Sequence, residues 1–300
     1  MKLIVEHVTT YHYDQPVRAV VQSHRLLPTQ CQNQTTGRWK VTVSDGTLGG
    51  SFRDGAGDMV QGWTVRGPVS HIEVRVTGEV TTFDHAGILR GNRESIPPVA
   101  WLGDTAPTHP DAALRELAQS ATGDGALALA HDLSALISKA IVYTPGTTDA
   151  QTTAAEALAK GEGVCQDQTH ALITCARLRD LPARYVSGYL YTDSQSQSQE
   201  SPEEPSQSQS QSQSQSQSQS QSPGALLRAS PEASHAWAEI WIEGLGWVGF
   251  DPANECCPDE RYIRLGSGMD AQAAAPIRGT ARGPGTETME IAVAVGSAQQ

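Results

Sequence analysis

The sequence predicts an α+β protein, with strands and helices occupying separate stretches of a 300-residue chain. Three observations predict it. The first ninety or so residues contain runs such as Ile72-Glu73-Val74-Arg75-Val76-Thr77-Gly78-Glu79-Val80, which alternate with the period of a half-buried strand. The middle repeats apolar residues at helical steps, as in Leu129, Leu133, Leu136, Ile137 and Ile141. Strand patterns then return, ending with Met289-Glu290-Ile291-Ala292-Val293-Ala294-Val295.

In the N-terminal stretch, Leu3-Ile4-Val5 leads to the aromatic Tyr11-His12-Tyr13, followed by Trp39–Val43, Met59–Val65 and Ile72–Val80. Asp45-Gly46 and Asp54-Gly55-Ala56-Gly57-Asp58 supply turns, so antiparallel sheets in a β-sandwich are expected. Helices are expected over Asp111–Ala121, after Pro110, and over Leu127–Ile141, before Pro145-Gly146. Thr152-Thr153-Ala154-Ala155-Glu156 reads as the capped start of a short helix ending near Gly161. A further helix should begin at Cys165, carry Ala171, Leu172, Cys175, Ala176 and Leu178 inward, and stop before Pro182. Strands follow at Arg184–Leu190, His235–Ile242 and Trp247–Phe250, the last two joined by the turn Glu243-Gly244-Leu245-Gly246. Between them, residues 194–223 are almost wholly Ser, Gln, Glu and Pro, a composition that cannot bury apolar area to offset ordering, so a disordered surface insertion is expected. The expected organisation is a β-rich region at 1–90, a core at 91–265 carrying that insertion, and a C-terminal tail at 266–300 with a strand near 289–295 that pairs with one of the sheets.

The net charge of −12 argues against nucleic acid or an anionic membrane as partner, since both require basic patches. No apolar run approaches the ~20 residues that span a bilayer. Met1-Lys2-Leu3-Ile4-Val5-Glu6-His7 lacks the features of a signal peptide, so a cytoplasmic protein is expected. The odd set of Cys31, Cys165, Cys175, Cys256 and Cys257 fits reduced thiols, with the adjacent Cys256-Cys257 read as ordinary loop residues. There is no Cys-x-x-Cys pair and no His-Glu-x-x-His helix, and His235 and Glu239 are widely spaced on a strand, so neither a metal nor another cofactor is expected.

Three side chains stand out as candidate catalytic groups: Cys165, His235 and Asp251. Cys165 falls at the predicted first turn of a helix, where unpaired N–H groups favour an anion, and Gly161 and Gly163 before it allow a tight turn and close approach of a substrate backbone. Cys175, on the apolar stripe of the same helix, reads as core. The hairpin folds Asp251 back beside His235, close enough for a carboxylate to accept from the imidazole. His170, five residues beyond Cys165, faces elsewhere and reads as structural.

Four segments together resemble the transglutaminase-like superfamily of papain-type cysteine enzymes: Gly161-Glu162-Gly163-Val164-Cys165-Gln166-Asp167, Pro182-Ala183-Arg184-Tyr185-Val186-Ser187-Gly188-Tyr189, Ser234-His235-Ala236-Trp237-Ala238-Glu239 and Gly246-Trp247-Val248-Gly249-Phe250-Asp251-Pro252. His7-Val8-Thr9-Thr10-Tyr11-His12-Tyr13 with Arg25-Leu26-Leu27-Pro28 resembles the N-terminal region of the bacterial members. The resemblance implies a papain-like core, with Cys165 as nucleophile, His235 as base then acid, and Asp251 as the group that orients it. Asp180 stands where the family usually has Gly, Gln168-Thr169 replaces a more hydrophobic pair, Asp54–Asp58 matches the family's Phe-Gly-Asn turn only loosely, and Gly268-Met269-Asp270 lacks a customary Arg. Thiol-dependent acyl transfer from a peptide or protein amide, ending in hydrolysis of a peptide or isopeptide bond, is the expected activity. Transglutamination to an amine acceptor and a non-catalytic scaffold remain as alternatives.

Overall fold

The computed structural model describes residues 1–192 and 233–298, so the Ser/Gln tract at 194–223, expected to be disordered, lies outside the described residues. Two long strands, β1 (Lys2–His24) and β4 (Met59–Thr82), pair antiparallel along their length. β2 (Gln34–Val43) borders the second half of β4, and β3 (Gly46–Arg53) borders its first half.

The layers expected as separate sheets are therefore one continuous hydrogen-bonded sheet. Its register slips between His12 and Val17 and again between Val17 and Ala19, dividing it into two arms. Val65 from one arm and Ile72, Val74 and Val76 from the other share one buried cluster with Tyr11 and Val17. Residues 59–65 and 72–80, expected as separate runs, belong to the single strand β4, with Gly67-Pro68 between them. Pro68 is accommodated because it falls within the slip, where the ladder asks no N–H of it. Gly67 is required there, since a Cβ would lie 2.1 Å from the Val17 carbonyl oxygen.

The helices lie close to their predicted spans: α1 (Ala112–Ser120), α2 (Ala126–Ala140), α3 (Ala154–Lys160) and α4 (Cys165–Leu178). β5 (Val142–Tyr143) and β6 (Glu162–Gly163) form a short parallel pair ahead of α4. β7 (Ala183–Leu190), β8 (Ser234–Ile242), β9 (Gly246–Phe250) and β10 (Tyr262–Gly268) make an antiparallel sheet in the order β10-β7-β8-β9. α4 is buried from Asp167 to Arg177, between this sheet and the other three helices. Two of its buried side chains bond across that shell: Gln168 Nε2 donates to the Ile141 carbonyl, and the Arg177 guanidinium donates to the Trp101, Ala183 and Met269 carbonyls.

α4 ends in a Schellman motif. The Leu181 N–H reaches the Ala176 carbonyl and the Asp180 N–H reaches that of Arg177. Asp180 holds φ at +58°, a conformation that glycine adopts without a Cβ clash. This accounts for the glycine usual at this position. Asp180→Gly should stabilise the protein by about 0.5–1 kcal/mol and raise Tm by about 1–3 °C in a thermal melt.

β11 (Ile277–Arg282) and β12 (Glu287–Ser297) return to the first sheet, flanking opposite halves of β1. β12 pairs from Leu3↔Ser297 to Tyr13↔Glu287. Neither β10 nor β11 shows the alternation that marks a strand: β10 is buried at every position, and β11 breaks its pattern with Arg278, Gly279 and Arg282.

A buried ionic cluster ties the first sheet to the core. The Arg264 guanidinium reaches Asp58 Oδ1 at 2.6 Å and Glu239 Oε1 at 2.8 Å, while Arg184 Nε donates to Glu239 Oε2 at 2.7 Å. Asp58 Oδ2 accepts from the Ser267 backbone N–H and hydroxyl. Arg184 also stacks over the Trp247 ring, 4.0 Å from its centroid, with Glu94 Oε1 at 3.0 Å from Nη1. The Asp54–Asp58 segment is thus a turn that delivers a buried anion to β10.

Candidate active site

Cys165 is positioned by the way the chain enters α4. Gly161 caps α3 in the left-handed conformation, with φ at +73°. Glu162-Gly163 then runs beside Val142-Tyr143, and Asp167 closes the turn by accepting from the Val164 N–H at 2.8 Å and the Thr148 hydroxyl at 2.6 Å. Gly163 was expected to admit a substrate backbone. Its missing Cβ instead makes room for Asp167, whose Cβ and Oδ2 would lie 2.8 Å from it. The result is a half-exposed thiol on the first residue of α4, at the end where N–H groups lack intrahelical partners.

His235 is the second residue of β8, and Asp251 directly follows β9. The pairing Ala238↔Phe250 sets Asp251 diagonally across from His235 on the same face of the hairpin. His235 Nε2 lies 2.7 Å from Asp251 Oδ2, the geometry of an N–H donated to a carboxylate. Cys165 bears on the same imidazole and helps to hold its proton. Burial alone would lower the His235 pKa, but the hydrogen bonds and charges of Asp251 and Cys165 outweigh it and raise the value to about 10. Burial works in the opposite sense on Asp251 and is likewise outweighed, by the His235 hydrogen bond first, so its carboxyl is held below the usual range. The structure thus pairs His235 with Asp251 and sets Cys165 where it acts on the same imidazole.

Two residues complete the surroundings of Asp251. Asn254 Nδ2 and the Tyr262 hydroxyl each donate to Asp251 Oδ2 at 2.7 Å. Asn254 lies only three positions after Asp251, within reach of a local turn argument, but nothing in the sequence near Tyr262 links it to the acid. A cleft of about 140 Å³ opens on His235, walled by Tyr143, Leu190, Ala253 and Asn254.

The other candidates fall outside this series. Cys175 is buried against α1, its thiol pushed up to about 12 by burial and then by Asp111. His170 is buried, accepts the Ala271 N–H at Nε2, and is lowered to about 4 by burial. Glu239 faces Arg184 and Arg264. Cys256 proves less ordinary than a loop thiol: its Sγ lies 3.3 Å from the Tyr262 hydroxyl that holds Asp251.

Residues 112–252 match the transglutaminase-like superfamily, and residues 3–81 match the bacterial transglutaminase-like N-terminal region. An uncharacterized protein of Mycobacterium leprae is 25% identical over 98% of both chains. One of Mycobacterium tuberculosis H37Rv is 34% identical over 152 residues, which are 49% of this chain and 40% of that one. The crystal structure of a "putative cysteine protease" from Cytophaga hutchinsonii superposes with a TM-score of 0.66 at 18% identity, covering 100% of this chain and 92% of that one, a likeness of fold. Taken with the fold, the family match supports a cysteine-based enzyme in general. Its two matched regions together span most of the described residues, and the chain belongs to the transglutaminase-like superfamily, with the bacterial transglutaminase-like N-terminal region.

Proposed function

We propose that the protein is a cysteine-dependent acyl-transfer enzyme acting on amide bonds of peptides or proteins, with hydrolysis of a peptide or isopeptide bond as its reaction. The observation that carries this reading is the His235–Asp251 hydrogen bond, with Cys165 beside the same imidazole on the first residue of α4. A thiolate paired with an imidazolium is a nucleophile and a proton donor in one arrangement.

In the forward step the Cys165 sulfur bonds to the amide carbonyl carbon, and the oxyanion is met by the Cys165 backbone N–H at the first turn of α4. As the C–N bond breaks, His235 gives its proton to the departing amine and a thioester remains. Water then attacks the thioester, yielding a proton to His235, and the carbon–sulfur bond breaks to release the carboxylic acid and restore the thiolate–imidazolium pair. Asp251 keeps the imidazole in one orientation through both steps.

An amine in place of water at the second step would make the same site a transglutaminase. Mass spectrometry of glutaminyl and isopeptide-linked peptides, incubated with a primary amine, separates the outcomes. Cleavage or deamidation supports hydrolysis, and loss of ammonia with gain of the amine supports transamidation. Neither product should form with Cys165→Ala, and turnover undiminished in that variant would sink the proposal.

A further inference from the structure

Asp251 receives more donors than the orientation of His235 requires. The N–H of His235, the amide of Asn254 and the hydroxyl of Tyr262 all reach Oδ2 at 2.7 Å. The backbone N–H groups of Ala253 and Asn254 reach Oδ1 at 3.0 and 3.3 Å. A carboxylate oxygen has about two lone-pair sites, so His235 shares the charge on Oδ2 with two neutral donors. Asn254 belongs to the same turn as Asp251, whereas Tyr262 is the first residue of β10, on the far edge of the sheet order from β9. Its ring is held edge-on against Trp237, with centroids 5.5 Å apart, and against His235 at 6.0 Å. The single proton of Tyr262 is committed to Asp251, so the Cys256 thiol at 3.3 Å must donate to the tyrosine oxygen. A directed series results: Cys256 S–H to Tyr262 O–H to Asp251, which also receives His235 N–H.

We propose that Tyr262 is a positioning residue of the reaction, whose hydroxyl fixes the Asp251 carboxylate against His235 and, by drawing charge from Oδ2, limits how firmly His235 keeps its proton. This rests on the reading of Cys165 and His235 as the reacting pair. The groups that bear on it are Cys165 of α4, Asp251 and Asn254 after β9, and, around Tyr262 itself, Cys256, Asp259 and Arg261. Asp259 and Arg261 pair with each other at 2.7 Å, so their charges largely cancel at the tyrosine.

The test is the pH dependence of Cys165 alkylation by iodoacetamide, read by peptide mass spectrometry so that the other cysteines do not contribute. The rate should be level while His235 is protonated and rise as the imidazolium loses its proton. Tyr262→Phe keeps the ring on Trp237 but returns charge to Oδ2, and the upper step should move to higher pH by about half a unit or more. Site-specific 3-fluorotyrosine at position 262, a stronger donor of nearly the same shape, should move it down, and this arm carries the test if Tyr262→Phe does not fold. An upper step that stays in place in folded Tyr262→Phe, or in the fluorotyrosine protein, overturns the proposal, because a merely structural tyrosine would alter stability without moving it. A wild-type Cys165 that alkylates at pH 6 no faster than a free cysteine overturns instead the reading of the reacting pair, so the two failures are distinct.

Discussion

Asp251→Asn should lower turnover by about 10⁴-fold, the loss that follows when a triad imidazole is left in the wrong tautomer. The reason lies in the donors around the side chain. Every contact given to its two oxygens is a donated hydrogen: His235, Asn254 and Tyr262 on Oδ2, and the Ala253 and Asn254 N–H groups on Oδ1. An amide must turn its NH₂ toward one of these sets. Facing Oδ2's partners it repels the His235 N–H and drives the proton to the nitrogen that should receive the thiol. Facing Oδ1's partners it breaks the turn that carries Asn254. Either choice buries unmatched donors at a site with 0% exposure, so a loss of stability of about 1–3 kcal/mol should accompany the loss of rate. Steady-state kinetics and a thermal melt on one preparation measure both. Turnover within tenfold of wild type would show that Asp251 does not orient the base.

Glu239→Gln should have the largest effect on stability. The Glu239 carboxylate is shared by Arg184 and Arg264, and the three side chains are 4%, 0% and 6% exposed. Removing the charge leaves two buried guanidinium groups short of an anion, a change that costs about 3–5 kcal/mol in comparable buried pairs, or about 10 °C in Tm for a chain of this class. The same carboxylate makes a pH signature. Burial would raise its pKa, but the charges and hydrogen bonds of Arg264 and Arg184 overcome that and hold it at about 2. A carboxylate with a depressed folded pKa contributes stability that is complete above its unfolded pKa near 4.5 and is lost as pH falls toward 2. Glu239→Gln should therefore melt lower at neutral pH and show a shallower loss between pH 4.5 and 2. Equal acid sensitivity in the two proteins would show that the cluster is not what the acid limb reports. Because Arg264 also holds Asp58, the variant should loosen the seam between the first sheet and the core, measurable as faster hydrogen exchange along β10.

Much of this was legible in the sequence because the signals are local. Cys165 could be placed on the first turn of its helix from Gly161, Gly163 and the helical spacing that follows, and the hairpin turn at 243–246 was enough to bring Asp251 back toward His235. The places where the reading stopped are those where the partner is far along the chain. β10 carries no alternation because both its faces are buried, so Tyr262 and Arg264 were invisible as parts of the site and of the ionic cluster. Gly163 was legible as a required glycine, but its reason, the Asp167 carboxylate folded back against it, is a contact between atoms. The Ser234–Glu239 segment joined two unrelated tasks: His235 faces the thiol, while Glu239, on the same face two steps along, belongs to the arginines.

By itself the sequence determined the class of fold and the order of most of its elements, and pointed to Cys165, His235 and Asp251 as candidate reacting side chains, since periodicity, capping and turn chemistry act over a few residues at a time. Only the tertiary structure decided that the first sheet is continuous across its bend, that the C-terminal strands return to flank β1, that Asp58 reaches Arg264 across the seam, and that Asp251 answers to Tyr262 as well as to His235. Those contacts join residues 11 to 294 positions apart, and their energies depend on burial and on the exact meeting of donors with acceptors, which no local pattern encodes.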